Sequence, residues 1–157
     1  MKTSLDRIDI DLLVALQKNG RASNKELAAL VGLAPSTTHS RVQRLLAQGL
    51  VDGVHAMVQP RAMGANLQAL VFVRLKSQHH DKDQQIWEKI CQMPQLRTAF
   101  SVGGSEDLVL HVVSLDTVEL RDQLLDPLSA HPSVMRVRTE LVFDSHYNPV
   151  LPLFSAD

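Results

Sequence analysis

The residues best equipped for chemistry lie in one stretch, residues 32–45, "GLAPSTTHSRVQRL". Pro35 fits the first position of a helix, where its missing N–H costs nothing. At about 100° per residue, Thr38, Val42, Leu45 and Leu46 fall together and should face a core. Ser36, Thr37, Ser40, Gln43 and Arg44 fall opposite, with His39 and Arg41 on the flanks. Small hydroxyl residues are mediocre helix formers, and a merely solvated face would favour Glu, Lys or Ala. Short donors and acceptors near a helix N-terminus, with arginine further along, suit another task. They let a backbone approach the DNA major groove, read base edges and hold phosphates. On the wheel alone the solvated face remains the alternative. Arg21 and Lys25 stand where they would reach phosphates, and equally where ordinary surface charge would stand. His39 has Gln43 at i+4 rather than a second ligand, so this stretch indicates no metal.

Three short helices must position that face. In "LDRIDIDLLVALQKNG", Ile8, Leu12, Leu13 and Leu16 form an apolar stripe behind an Asp6 cap, with Asp9 and Asp11 near the positive end of the helix dipole. "SNKELAALVG" opens on a Ser23/Glu26 capping box, carries Leu27, Leu30 and Val31, and stops at Gly32. The third helix runs from Pro35 to about Gln48, before Gly49. A tight turn between the second and third helices gives a helix-turn-helix, whose second member enters the major groove.

Residues 50–60, "LVDGVHAMVQP", alternate and are β-branched, which predicts a linking strand. Beyond it the rhythm changes. "LQALVFVRLK", "LRTAFSV", "DLVLHVVSL" and "SVMRVRTELVFDSH" read as strands. "HDKDQQIWEKICQMP" and "DTVELRDQLLDPLSAHP" read as helices, the first turning Ile86, Trp87 and Ile90 inward, the second Leu120, Leu124 and Leu128. "GGSE" reads on its own as a hairpin turn. The predicted fold is α+β: a winged helix-turn-helix over residues 1–60 with its linking strand, then a ferredoxin-like β-α-β-β-α-β domain over 61–157. Two helices cover one face of such a sheet. The other face, rich in Val, Leu and Phe, needs a cover, and a second subunit is the economical one.

The bulk properties narrow the classes. At 157 residues, 45% hydrophobic and 21% charged, the chain suits one ordinary globular domain or two small ones. Net charge is −1, so the composition as a whole is not that of a polyanion binder. Residues 1–60 hold seven Lys/Arg against five Asp/Glu, a mild basic bias that reverses afterwards. The single cysteine, Cys91, excludes an intrachain disulfide and stands at a spacing that predicts burial. No signal peptide or bilayer-length apolar run is visible, so the expected location is cytoplasmic, away from membranes.

On these residues the chain resembles the Lrp/AsnC (feast/famine) family of transcription regulators. The resemblance is carried by Leu5-Asp6 with Ile8-Asp9, Asn19-Gly20-Arg21, Glu26-Leu27-Ala28, Val31-Gly32-Leu33, Arg41-Val42 with Arg44-Leu45, and Gly49-Leu50-Val51. It extends over nearly the whole chain. It implies a regulator that binds double-stranded DNA, forms a homodimer through its C-terminal sheets and assembles further, for example to an octamer. It also implies an amino acid or related metabolite as effector, with no other cofactor. The family's Gly-x-x-Asp loop falls on Gly104 and Asp107, with Val102, Ser105, Glu106 and Leu108 around them and Thr139 on the last strand. Glycines there would expose amides to a carboxylate, and Asp107 would accept an α-ammonium. Departures are Ala34 where a serine N-cap is common, Val137 in place of a first threonine, and Leu108 in place of an aromatic.

An enzyme or a metabolite-sensing interaction module would be the rival classes, since ferredoxin-like sheets host many activities. The enzymatic candidates are thin. His79, His80 and Asp81 read as a solvated helix start, His111 as a packed strand residue, and no phosphate loop or nucleophile elbow is present.

Overall fold

The computed structural model describes residues 5–76 and 80–152, with side chains left out over 80–83. The His79–Asp81 cluster lies outside the described side chains. The described residues divide into two compact units. One holds the residues up to Met57 together with those from His146 onward; the other spans Val58–Ser145.

The first unit is built on α1 (Arg7–Lys18), α2 (Asn24–Val31) and α3 (Pro35–Ala47). Their ends are set by local hydrogen bonding. Asp6 Oδ1 accepts the Asp9 N–H at 2.8 Å, and the Asp9 carboxylate receives the Asp6 N–H in return. Ser23 and Glu26 form the same reciprocal box at α2. Gly32 closes α2 at φ +68°, a conformation costly for any residue with a Cβ. Asn24 Nδ2 then donates to the Pro35 carbonyl at 2.7 Å, fastening α2 to the start of α3 across the turn. At the far end of α3, Gly49 N–H bonds Leu46 O and Leu50 N–H bonds Leu45 O. This is a Schellman motif.

Leu12, Ala15, Leu27 and Leu45 form the buried centre, with Ile8, Leu16 and Val42 packed around it. Two expected core residues face out: Leu30 is 61% exposed and Leu46 38%. Both sit at the rim of their stripes. Ala28 completes the inward arc of α2 with Leu27 and Val31, leaving Leu30 about 100° from its centre; Leu46 falls about 70° from the centre of the α3 stripe.

The linking strand expected over 50–60 does not form: among the described residues this segment has no ladder, and a 3₁₀ turn occupies Pro60–Met63. A strand exists only against a neighbour, and none pairs with these residues among the described residues. Gly20 is required by the segment's approach, because a Cβ there would stand 2.6 Å from Val54 Cγ1. No wing strands are present in the first unit among the described residues.

The second unit is the expected β-α-β-β-α-β arrangement: β1 (Leu67–Leu75), α4 (His80–Cys91), β2 (Leu96–Ser101), β3 (Leu108–Ser114), α5 (residues 117–129) and β4 (Val134–Leu141). The strands lie in the order β2-β3-β1-β4, every pair antiparallel. Val71 pairs with Leu110 and Thr139, and Val73 with Leu108 and Val137. Directly paired residues share a face, so Ala69, Val71, Val73, Leu108, Leu110 and Val112 form one apolar surface. Ile86 and Ile90 from α4 and Leu120, Leu124 and Leu128 from α5 complete the core on it. Each such fully buried side chain is worth about 1.5–3 kcal/mol. The opposite face carries Leu70, Phe72, Val109 and Phe100, mixed with polar groups. There His111 Nε2 donates to Gln68 Oε1 at 3.0 Å, and Arg138 lies 4.1 Å over the Phe72 ring.

Two details depart from expectation. α5 is interrupted by a π turn, Arg121–Leu125, where the Asp126 N–H bonds Arg121 O. Pro127 has no N–H for the Gln123 carbonyl and its ring crowds it, so the extra residue in the turn accommodates the proline. Cys91, expected to be buried, ends α4 exposed.

Candidate functional site

The outward face of α3 is as the wheel predicts for most positions. Ser36, Thr37, His39, Ser40 and Gln43 are exposed, as are Arg21 before α2 and Lys25 in its first turn. Thr38 is fully buried, its hydroxyl donating to Ala34 O at 3.1 Å. Ser40 Oγ donates in the same way to Ser36 O, leaving its lone pairs outward. α3 contains no acidic residue. Its N-cap, Ala34, supplies no side-chain acceptor, so the first-turn amides point outward uncapped at the positive end of the helix dipole.

Arg41, expected on the flank, is partly buried, and Arg44, expected to face out, is exposed. Both reach back to α1. Arg41 Nη1 donates to Asp6 Oδ2 at 2.6 Å and Asp9 Oδ1 at 2.9 Å; Arg44 Nη2 donates to Asp9 Oδ2 at 2.5 Å. Asp9 is 1% exposed, so each of its oxygens is closed by one arginine. Burying a carboxylate unpaired would cost several kcal/mol, and this constraint draws the arginines inward. Asp6 is held below the usual carboxylate range by the Asp9 N–H first and by Arg41 second. The roles of Asp6 and Asp9 as anchors escaped sequence reasoning, which gave them to capping and the helix dipole. The usable signal was the match of acids three apart on α1 with arginines three apart on α3.

In the second unit, residues 102–107 form the loop between β2 and β3. Gly104 sits at φ +144°, which favours glycine. The loop is fastened on all sides: Val102 N–H bonds Asp107 O, Asp107 N–H bonds Val73 O, and Asp107 Oδ2 accepts the Leu75 N–H at 2.8 Å. Arg74 Nη1 donates to the Gly104 and Ser105 carbonyls at 3.1 Å. Asp107 is therefore occupied in shaping the loop. Glu106 is the different case. It is 8% exposed; Oε1 receives Arg136 Nη2 at 2.6 Å, while Oε2 is buried without a partner among the described residues. Val102, Gly104 and Ser105 are exposed around it.

The remaining expected members are not brought to the loop surface. Leu108 is 5% exposed within the helix-covered core. Thr139 pairs with Val71, which places it on the helix-covered side of edge strand β4, with β1 and β3 between it and β2. Sequence reasoning missed Arg74 and Arg136; their signal was arginine in otherwise apolar strands. Among the described residues no helix is long and apolar enough to cross a membrane, and no group of three His, Cys, Asp or Glu could hold a metal.

A helix-turn-helix with an exposed, acid-free second helix, carried by a chain that also holds a ferredoxin-like unit, fits the class of DNA-binding transcription regulators with an added domain. The comparisons with known proteins place it further. An AsnC-type helix-turn-helix domain matches residues 5–46, and the Lrp/AsnC ligand-binding domain matches residues 68–150. The chain belongs to the Lrp/AsnC family of transcriptional regulators. The HTH-type transcriptional regulator AldR of Mycolicibacterium smegmatis is 37% identical over 149 residues, spanning 95% of this chain and 86% of the relative. The leucine-responsive regulatory protein of Rhizobium meliloti is 32% identical and covers 90% of each chain. A Neisseria meningitidis transcriptional regulator solved as its L-Met complex superposes with a TM-score of 0.87 at 28% identity, covering 95% of this chain and 97% of that one. The chain is thus a DNA-binding transcription regulator with a ligand-binding domain.

Proposed function

We propose that α3 is the reading head and that the 102–107 loop is the sensor. Ser36, Thr37, His39, Ser40 and Gln43 meet base edges, while Arg21, Lys25 and Arg44 hold phosphates. Arg41 serves chiefly to anchor α3 to α1. The observation carrying this reading is the acid-free, exposed polar face of α3 over a fully buried Thr38–Leu45 stripe. A duplex selected from a random pool by the protein should bind far more tightly than a random duplex, and both should weaken steeply as salt rises, because neutralised phosphates release counterions. Equal affinity for all duplexes would rule out specific reading.

The effector is an amino acid or a related metabolite. Its α-ammonium goes to Glu106, whose Oε2 supplies an unused charge-assisted acceptor, and its carboxylate to the amides at Gly104 and Ser105. This modifies the sequence expectation: Asp107 shapes the loop instead of holding the ammonium. The L-Met complex of the Neisseria relative supports an amino-acid ligand. A thermal-shift screen of the common amino acids should show a stabilising ligand for the wild type and none for Glu106→Gln. A ligand response preserved in Glu106→Gln would move the ammonium site elsewhere.

The protein works as a cytoplasmic homodimer, or a higher oligomer such as an octamer, and not as an enzyme. The open sheet face with Leu70, Phe72, Val109 and Phe100 supports the self-association, which sedimentation would measure.

A further inference from the structure

We infer that Asp9, an acidic residue buried in α1, is a positioning residue for DNA recognition and acts through Arg44. The inference rests on the reading of α3 as the DNA-contacting helix and adds to it a group that never touches DNA. Removing a negative charge from a DNA-binding unit should, by electrostatics alone, tighten binding to every duplex. The geometry points to the opposite result for the specific site.

Asp9 is 1% exposed, yet both of its oxygens are spent on α3 arginines. Arg44 uses only Nη2 on Asp9, and its side chain is 48% exposed. A guanidinium carries five N–H donors in a planar fork, so the donors on Nη1 and Nε remain for a second acceptor. With one edge fixed by a rigid carboxylate, the remaining donors have a set direction rather than a long side chain's freedom. That is pre-organisation: the cost of ordering Arg44 is met before DNA arrives. Asp9 is itself fixed, since it sits in the reciprocal box with Asp6 at the start of α1. Arg41 is the more enclosed arginine, 25% exposed, with Asp6 on it as well, and supplies the bracing.

The test measures Kd on two duplexes, one selected from a random pool by the wild type and one of random sequence. Thermal unfolding of each variant is followed alongside. Arg44 meets the phosphate it is aimed at only when α3 is seated in the register of its selected site, so Asp9→Asn should weaken the selected duplex about tenfold, the scale of one good contact. It should leave the random duplex unchanged or tighter. In an Arg44→Ala background the same substitution should change the selected-duplex Kd less than about twofold, because the residue it acts through is gone. Tighter binding of Asp9→Asn to both duplexes would overturn the inference in favour of plain charge removal. Equal weakening on both, tracking a lost unfolding midpoint, would overturn it in favour of a purely structural role. If Asp9→Asn fails to fold, Arg44→Lys decides. It keeps the charge on a half-exposed position but loses the planar fork. Loss confined to the selected duplex supports the inference, and wild-type affinity overturns it. Failure to select any preferred duplex would instead defeat the reading of α3 itself.

Discussion

Two buried carboxylates, one in each unit, are set among arginines and end differently. Asp9 is closed: Arg41 takes one oxygen and Arg44 the other. Glu106 is half-paired: Arg136 takes one oxygen and the other is buried with no partner among the described residues. An unmatched buried oxygen is expensive, so the pair separates a carboxylate whose pairing is complete from one whose pairing is not. The difference teaches that burial beside arginine is not one condition: what matters is whether each oxygen is matched.

That contrast can be broken in order of size. Asp9→Ala should cost about 2–3 kcal/mol in chemical denaturation, somewhat less than the loss of a fully buried pair, because Arg41 and Arg44 keep part of their hydration. A cost below ~0.5 kcal/mol would remove the distinction from the closed side. Ala34→Ser should stabilise the free protein by about 1 kcal/mol, giving α3 the cap that α1 and α2 already have. A lowered melting temperature would show that the first turn of α3 is not short of an acceptor.

Glu106→Gln should change stability by under ~1 kcal/mol, since the lost Arg136 pairing is offset by relief of the unmatched charge. A large destabilisation would mean that Glu106 is closed after all. The smallest effects are those of pH. Asp6, Glu26 and Glu119 are all held below the usual carboxylate range by backbone N–H groups first: those of Asp9, Ser23 and Leu115. Their contribution is complete above the ordinary carboxylate pKa and is lost as pH falls through the lowered values. His111 is pushed down from 6.5 by burial first and by Arg97 second. The unfolded chain therefore takes up its proton first, and stability declines as pH drops below that value toward the lowered one. Urea midpoints of wild type and His111→Gln at pH 7.5 and 5.5 would show a smaller decline in the variant.

Much of the fold was legible because it is written in local patterns. Capping boxes at Asp6 and Ser23, the stop at Gly32, and the Leu120–Leu124–Leu128 stripe depend on residues within one or two turns of each other. Most of the misses share a cause: they depend on what a residue meets at long range. Residues 50–60 have strand chemistry but no pairing neighbour among the described residues. Leu30 and Leu46 lie at stripe edges, where a small core has no room left. The π turn at Pro127 is a local exception, inside a segment that reads as one uninterrupted helix. At the sites, the exposed residues of α3 followed from its wheel. The ion pairs of Arg41 and Arg44 did not, because they are set by Asp9, about thirty residues earlier. The partners of Asp107 and Glu106 were hidden as well, since only the folded sheet brings the Leu75 N–H to one carboxylate and Arg136 to the other.

The central claim is that bases are read by the short polar side chains of α3. Its most direct test is the ratio of affinities for the selected and random duplexes, measured for the wild type and for a Thr37→Ala/Gln43→Ala double variant. The account predicts that the wild-type preference collapses by at least tenfold in the variant while random-duplex affinity and melting temperature hold. A preference that survives both substitutions unchanged would contradict it.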